Sequence, residues 1–277
     1  MIRLLKIEWT KIFYYKTTRI FTFIYFAMLI LIGVILSFIK PQIGGVKFDI
    51  AKLGMFNFPE IWQNITYLVA IFKIFIAVIV ITNITNEYSN GTLKQNLIDG
   101  LSKKEFIGSK ILINIVLAAL SSLFVLAICS VLGLIFSTSE IGFIKGIEYI
   151  LIYFIKLILF FSICLFLSVL LKRSAFAFLG LIVLWMIELI ISSIEKMILA
   201  VSSGVESIMI DKLYISDFLP LNVSSLLIPF PISFEKVMVG QSLFEFKNVN
   251  WIFVAAAIIY ILLLNYLSYY LLKKRDL

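Results

Sequence analysis

The chain has 277 residues, 62% hydrophobic and 14% charged, with a formal net charge of +8 and no histidine. A soluble domain averages roughly 45–50% apolar and about 25% charged, so a soluble fold would have to hide several uncharged runs long enough to cross a bilayer. The missing histidine and the singly scattered acids exclude most hydrolase and metal-site chemistry, and no HExxH motif, zinc-type cysteine spacing or glycine-rich phosphate loop occurs.

Residues 1–19 form a basic, amphipathic leader. Leu4, Leu5, Ile7, Ile12 and Phe13 alternate with Arg3, Lys6, Lys11 and Lys16, while Trp9, Tyr14 and Tyr15 are rings suited to headgroup level. This pattern predicts an interfacial helix against the inner leaflet, and no small-residue cleavage pattern follows it. A hydrocarbon core of about 30 Å needs about 20 apolar residues in a helix. Residues 20–39 supply the first such run. A stretch at 40–60, with Gly44, Gly45 and Pro59, leads to a second span at 61–85 that contains Lys73. The polar segment 87–110 separates it from a third span at 111–136. Span four (147–171) carries Glu148 and Lys156, and span five (174–194) carries Glu188. A long segment at 195–250 precedes span six at 251–272. It is too apolar for a free loop, and Pro220, Pro229 and Pro231 divide it. Short helices that re-enter the outer leaflet or cap the bundle are expected there. The fold class is therefore an all-α polytopic membrane protein with six transmembrane helices, read as a single transmembrane domain over 1–277. Cys129 and Cys164, both within apolar runs, read as small buried hydrophobes.

Charge bias sets the expected orientation. Segments 1–19, 86–110, 172–173 and 273–277 hold 14 basic residues against five acids, a net of +9; the remainder holds 10 basic and 11 acidic, a net of −1. Both termini are expected in the cytoplasm, and an even number of spans agrees.

Within 87–110 two capping boxes are legible: Thr92 with Gln95, and Ser102 with Glu105. Asn90-Gly91 and Gly100 supply turns before each. The pattern predicts a short helix over 93–99, a corner, and a helix from about 103 that runs into the third span. Leu93 and Leu97 share one face of the short helix, with Ile98 beside them. A lone helix of this length is marginal in water, so it needs something to pack on, either its own bundle or a groove on a peripheral protein.

At this point the chain resembles the membrane subunit of bacterial ABC-2-type transporters. The resemblance rests on the leader Leu4-Leu5-Lys6-Ile7-Glu8-Trp9-Thr10-Lys11, on Glu87-Tyr88-Ser89-Asn90-Gly91-Thr92-Leu93-Lys94 and on Gly100-Leu101-Ser102-Lys103-Lys104-Glu105-Phe106. It implies a non-catalytic permease in the bacterial cytoplasmic membrane, paired with an identical or homologous permease and served by two copies of a separate ATPase. ATP and Mg would be bound by that partner, with no cofactor on this chain. It also implies that the segment 87–110 is the coupling region. There Glu87, Gly91, Thr92, Leu93, Lys94 and Leu97 would sit at or beside the ATPase contact. Gly91 would permit the turn and Thr92 would cap. Leu93 would plug an apolar pocket and Lys94 would meet an acidic rim. Glu87 would brace the leader through Lys11 or Lys16.

Charged residues inside spans are functional candidates because burying them is costly. Lys73, Lys156 and Glu188 fall in this class, and a Lys73–Glu188 pair facing the bundle interior would remove much of the cost. The leading expectation is an ATP-driven exporter of a peptide, lipid or other amphiphile. A secondary transporter working alone would call for internal repeats and broken helices; no repeat is evident. A membrane-embedded enzyme is disfavoured by the lack of histidine and of paired carboxylates. A structural or sensory membrane protein remains the further alternative.

Overall fold

The computed structural model describes residues 2–38, 42–43, 46–47, 54–137, 143–203, 213–232, 244 and 246–275. It is almost wholly helical. The elements in order are α1 (Ile2–Tyr14), α2 (Lys16–Phe38), β1 (Gln42–Ile43), β2 (Val46–Lys47), α3 (Glu60–Val69), a 3-10 turn (Ala70–Phe72) and α4 (Lys73–Ser89). These are followed by α5 (Thr92–Ile98), α6 (Lys103–Phe136), α7 (Glu148–Leu171), α8 (Ser174–Ser203), a second 3-10 turn (Ile215–Phe218), α9 (Pro220–Leu226) and α10 (Trp251–Lys274). The two strands form only a two-residue antiparallel ladder, Gln42 opposite Lys47 and Ile43 opposite Val46. Gly44, Gly45 and Ile208 to Ile210 lie outside the described residues.

Among the described residues six stretches are long and apolar enough to cross a membrane: Lys16–Ile35, Glu60–Ser89, Lys103–Phe136, Glu148–Leu171, Ser174–Leu199 and Trp251–Lys274. All six expected spans are present, with shifted ends. The leader helix stops at Tyr14, and α2 begins at Lys16, ahead of the uncharged run at Ile20. α8 continues to Ser203, beyond the expected 194. α6 has 34 residues, about 50 Å at about 1.5 Å per residue. That exceeds the hydrocarbon thickness, so its first turns protrude from the apolar layer. The second span is not one continuous helix: a single 3-10 turn interrupts it immediately before Lys73.

α7 is the most buried span and α8 the least. α7 packs against α10, α6, α4 and α8, and its Tyr153 hydroxyl lies 2.9 Å from that of Tyr25 on α2, both buried. Cys129 and Cys164 are buried and free. α8 leaves Phe176, Leu179, Ile182 and Trp185 exposed, as a lipid-facing helix does.

Contacts gather the two chain ends at one end of the bundle. The Lys103 ammonium donates to the Arg275 carbonyl at 2.7 Å. The Arg275 guanidinium donates to the carbonyls of Val169 and Leu170, where α7 finishes. Lys110, near the start of α6, binds Glu8 of α1. At the opposite end, Phe58 packs against Trp62 and Phe143. Its ring occupies the space beside Gly133, where an added Cβ would collide with it.

In the segment after α8, the second 3-10 turn and α9 pack onto the bundle. Pro220 sits at the start of α9, where its missing N–H costs nothing. Two acids of α8 hold this segment by its backbone amides. Glu195 accepts from Ile215 and Ser216 at 2.9 and 2.8 Å, and Glu188 accepts from Leu221 and Asn222 at 3.0 and 2.8 Å. Each carboxylate meets the amide-rich start of a helical turn, where negative charge is favoured.

Candidate functional site

The leader helix turns an acid inward. Leu4 and Leu5 are half-buried, while Glu8 and Ile12 are buried, all along one side of α1. Glu8 thus lies on the apolar stripe of an otherwise basic helix, and that placement requires a charged partner inside. It has two. Lys110 of α6 donates to Glu8 Oε2 at 2.6 Å, and Lys11 reaches Glu8 Oε1 at 3.0 Å. Both lysines also bind Glu87 at the end of α4: Lys11 at 2.8 Å, and Lys110 on the same oxygen, Oε1. Asn83, one turn before Glu87, donates to Glu8 Oε2 at 3.1 Å.

The result is a neutral knot of two carboxylates and two ammoniums that joins α1, α4 and α6. Lys110 and Glu87 are each 1% exposed, so the inner side of the knot is shielded from solvent, while Lys11 at its edge is 24% exposed. Burial alone would push the Glu8 carboxyl up, but Lys110 and Lys11 together outweigh it and hold it below the ordinary carboxylate range. For Lys11, burial favours the neutral amine, yet Glu8 and Glu87 together raise it above the ordinary lysine value. A buried ion pair is weak grounds for net stability but costs much to break one-sidedly. The knot therefore acts as a register lock, fixing where the leader helix sits against the spans.

The short helix α5 hangs directly from this lock. Asn90 ends α4, and Gly91 takes a left-handed conformation with φ +70°. An added Cβ there would meet nothing within 4 Å, so glycine is required by the backbone and not by space. Thr92 is the first helical residue and Gly91 occupies the cap position, with no side-chain cap. The expected threonine cap is therefore not formed: the left-handed glycine takes the place where an extended cap residue would stand. The second box does form, with Ser102 accepting from the Glu105 amide and Glu105 accepting from the Ser102 amide.

The structure turns Leu93 inward. It is 2% exposed and belongs to the hydrophobic core, with Leu97 packed against the same core. The expectation that Leu93 plugs a pocket on another protein is corrected accordingly: its pocket is on this chain. Lys94, Gln95, Ile98 and Asp99 face outward, and Ile98 is 76% exposed. Between α1, α5 and the start of α6 lies a cavity of about 540 Å³, lined by Arg3, Glu8, Glu87, Asp99 and Glu105 among others.

The model of the ABC-2 family transporter protein matches residues 4–189, which hold the leader helix, the knot and α5. The chain belongs to the ABC-2 transporter family. It is an ABC-2-type permease, a membrane subunit of the kind that works with an ABC ATPase. No curated protein matches the chain.

The other candidates are placed as follows. Glu87 braces the leader through Lys11; Lys16 is exposed and takes no part. Lys73 and Glu188 do not pair. Glu188 is spent on the α9 amides, and Lys73 donates to the Ser224 hydroxyl at 3.3 Å and lies 4.5 Å from the Phe160 ring centre. The α9 helix binds both residues, supplying donors to one and an acceptor to the other. Lys156, which had no evident partner in the sequence, donates to the Ser225 carbonyl at 3.4 Å. Sequence reasoning treated Lys110 as a flanking charge and Glu8 as an ordinary leader acid. The available signal was the position of Glu8 on the apolar face of its helix.

Proposed function

We propose that this permease is one half of a bacterial ATP-driven exporter, embedded in the cytoplasmic membrane with both termini in the cytoplasm. Two copies of a separate ATPase bind ATP and Mg and press on the outward face of α5 (Lys94, Gln95 and Ile98). A second permease, identical or homologous, completes the translocation path. The cargo is a peptide, lipid or other amphiphile.

The observation that carries this reading is the position of α5, which starts at Thr92 just beyond Glu87 of the buried Glu8–Lys11–Glu87–Lys110 knot. A seven-residue helix alone is too weak to carry force. Anchored by Leu93 and joined through Gly91 to α4, it transmits displacement to the second span and, through the knot, to α1 and α6 together. The interruption of that span at Ala70–Phe72 offers the place where such motion bends it. Asp99 and Glu105, beside the cavity under α1, suit a basic side chain of the partner.

The test is affinity purification of the chain in detergent, with identification of bound proteins and measurement of ATP hydrolysis. The expected result is co-purification of a nucleotide-hydrolysing subunit that Lys94→Glu with Ile98→Asp removes. Retention of that subunit by the double variant would overturn the assignment of the contact to α5.

A further inference from the structure

We infer that the lipid-facing pocket between α4, α7, α8 and α9 binds an anionic amphiphile, holding its acidic group at Lys73 and its apolar tail against α8.

The pocket has a volume of about 410 Å³, and Lys73, Phe160, Trp185, Ile182 and Ser225 are among the residues that line it. Trp185 and Ile182 are exposed on the outside of the bundle, so the pocket opens toward the acyl chains. Lys73 is the basic residue among those that line it, and Lys156 lies behind Ser225, outside the lining. Lys73 holds the hydroxyl of Ser224, and Lys156, 4% exposed, holds the carbonyl of the next residue, Ser225. Neither lysine has a carboxylate in salt-bridge range among the described residues. Glu188 of α8 is committed to the Leu221 and Asn222 amides. One ammonium in a span can be tolerated through local dipoles. A second lysine buried beside it, with no carboxylate in salt-bridge range among the described residues, leaves Lys73 favouring an anion.

Depth narrows the ligand class. Lys73 lies about 20 Å along its span from Glu60, and Lys156 about 12 Å along its span from Glu148, at about 1.5 Å per residue. An inorganic anion would have to leave water entirely to reach them. An amphiphile brings its acidic group there while its tail stays in lipid. The position is below the headgroup layer, where an amphiphile leaving its leaflet must pass. The 3-10 turn just before Lys73 lets this end of the pocket change shape without melting the span.

The inference names the cargo class of the transport reading and rests on it only in that sense. Binding is read on the permease alone, so its failure leaves ATPase association standing, and the reverse. The experiment is quenching of Trp185 fluorescence in the purified full chain in neutral detergent. The probes are bromine-labelled phosphatidylglycerol, phosphatidylcholine and stearate. The signal is taken as the difference from Trp185→Phe, which removes the contributions of Trp9, Trp62 and Trp251. Half-quenching is expected at a mole fraction at least about fivefold lower for an anionic probe than for phosphatidylcholine. Preference for phosphatidylglycerol alone assigns a phosphate headgroup; preference for stearate alone assigns a carboxylate. Lys73→Gln is expected to abolish the preference and Lys73→Arg to keep it. Equal quenching by all three probes in the wild type, or a preference that survives Lys73→Gln, overturns the inference. The wild-type comparison decides even if Lys73→Gln does not fold.

Discussion

Replacing Lys110 by methionine removes the one ammonium that binds both Glu8 and Glu87 from inside the bundle. Two buried carboxylates are then left to share Lys11, which is partly solvated. Breaking a buried ion pair from one side costs about 3–5 kcal/mol, because the remaining charge keeps its desolvation penalty without its partner. Each kcal/mol lowers the thermal midpoint by about 2–4 °C in a chain of this size, so the expected drop is roughly 10 °C, read by thermal unfolding of the purified chain in detergent. The second half of the test uses charge balance. Adding Glu8→Gln to Lys110→Met leaves Glu87 alone with Lys11 at 2.8 Å, one acid facing one base. The double variant should recover about 0.5–3 kcal/mol relative to the sum of the single changes, the range found for directly coupled groups. A midpoint for Lys110→Met within about 2 °C of wild type would refute the lock. So would strict additivity of the two changes.

Further outcomes follow from the same geometry. The lowered Glu8 pKa makes its ionised form a source of stability that is fully present above the ordinary value of 4.5 and is lost as pH falls through the lower folded value; wild type and Glu8→Gln should therefore differ by a constant amount above about pH 5 and converge below pH 4.5 in a pH series of thermal midpoints. Leu93→Ala should cost about 2–4 kcal/mol by opening the core, whereas Lys94→Glu should leave the thermal midpoint within about 2 °C of wild type; the reverse order would show that α5 is turned the other way. Gly91→Ala should destabilise by about 1–2 kcal/mol through its left-handed backbone alone, again by thermal unfolding. In cysteine labelling of whole cells, Ile215→Cys should react with a membrane-impermeant maleimide and Ile98→Cys should not, with the buried Cys129 and Cys164 silent.

How far the sequence led differs from element to element. The six spans and the Ser102–Glu105 box were legible because each rests on local physics: run length in one case, a three-residue spacing in the other. The break at Ala70–Phe72 was not, since no proline or glycine marks it and its neighbours are as apolar as any span interior. The knot was half legible. Glu87 toward Lys11 follows from the basic leader lying near the end of the second span. Lys110 to Glu8 joins residues far apart in the chain, and only the packing of α1 on α6 brings them together. Lys73 and Glu188 looked like natural partners because each was seen as an orphan in lipid. Nothing local in the chain shows α9 inserting where its hydroxyl and amides satisfy both. Leu93 shows the same limit in reverse: its apolar face needed a pocket, and periodicity could not say which protein owned it.

The most direct measurement places a photo-activated crosslinking side chain at Ile98, on the outward face of α5, and a second at Ile215, which is 85% exposed on the opposite side of the bundle. In cells expressing the permease with its transport partners, Ile98 should yield a crosslinked species containing an ATP-hydrolysing protein, and Ile215 should not. An ATPase adduct at Ile215, or none at Ile98 while the ATPase still co-purifies, would contradict coupling through α5.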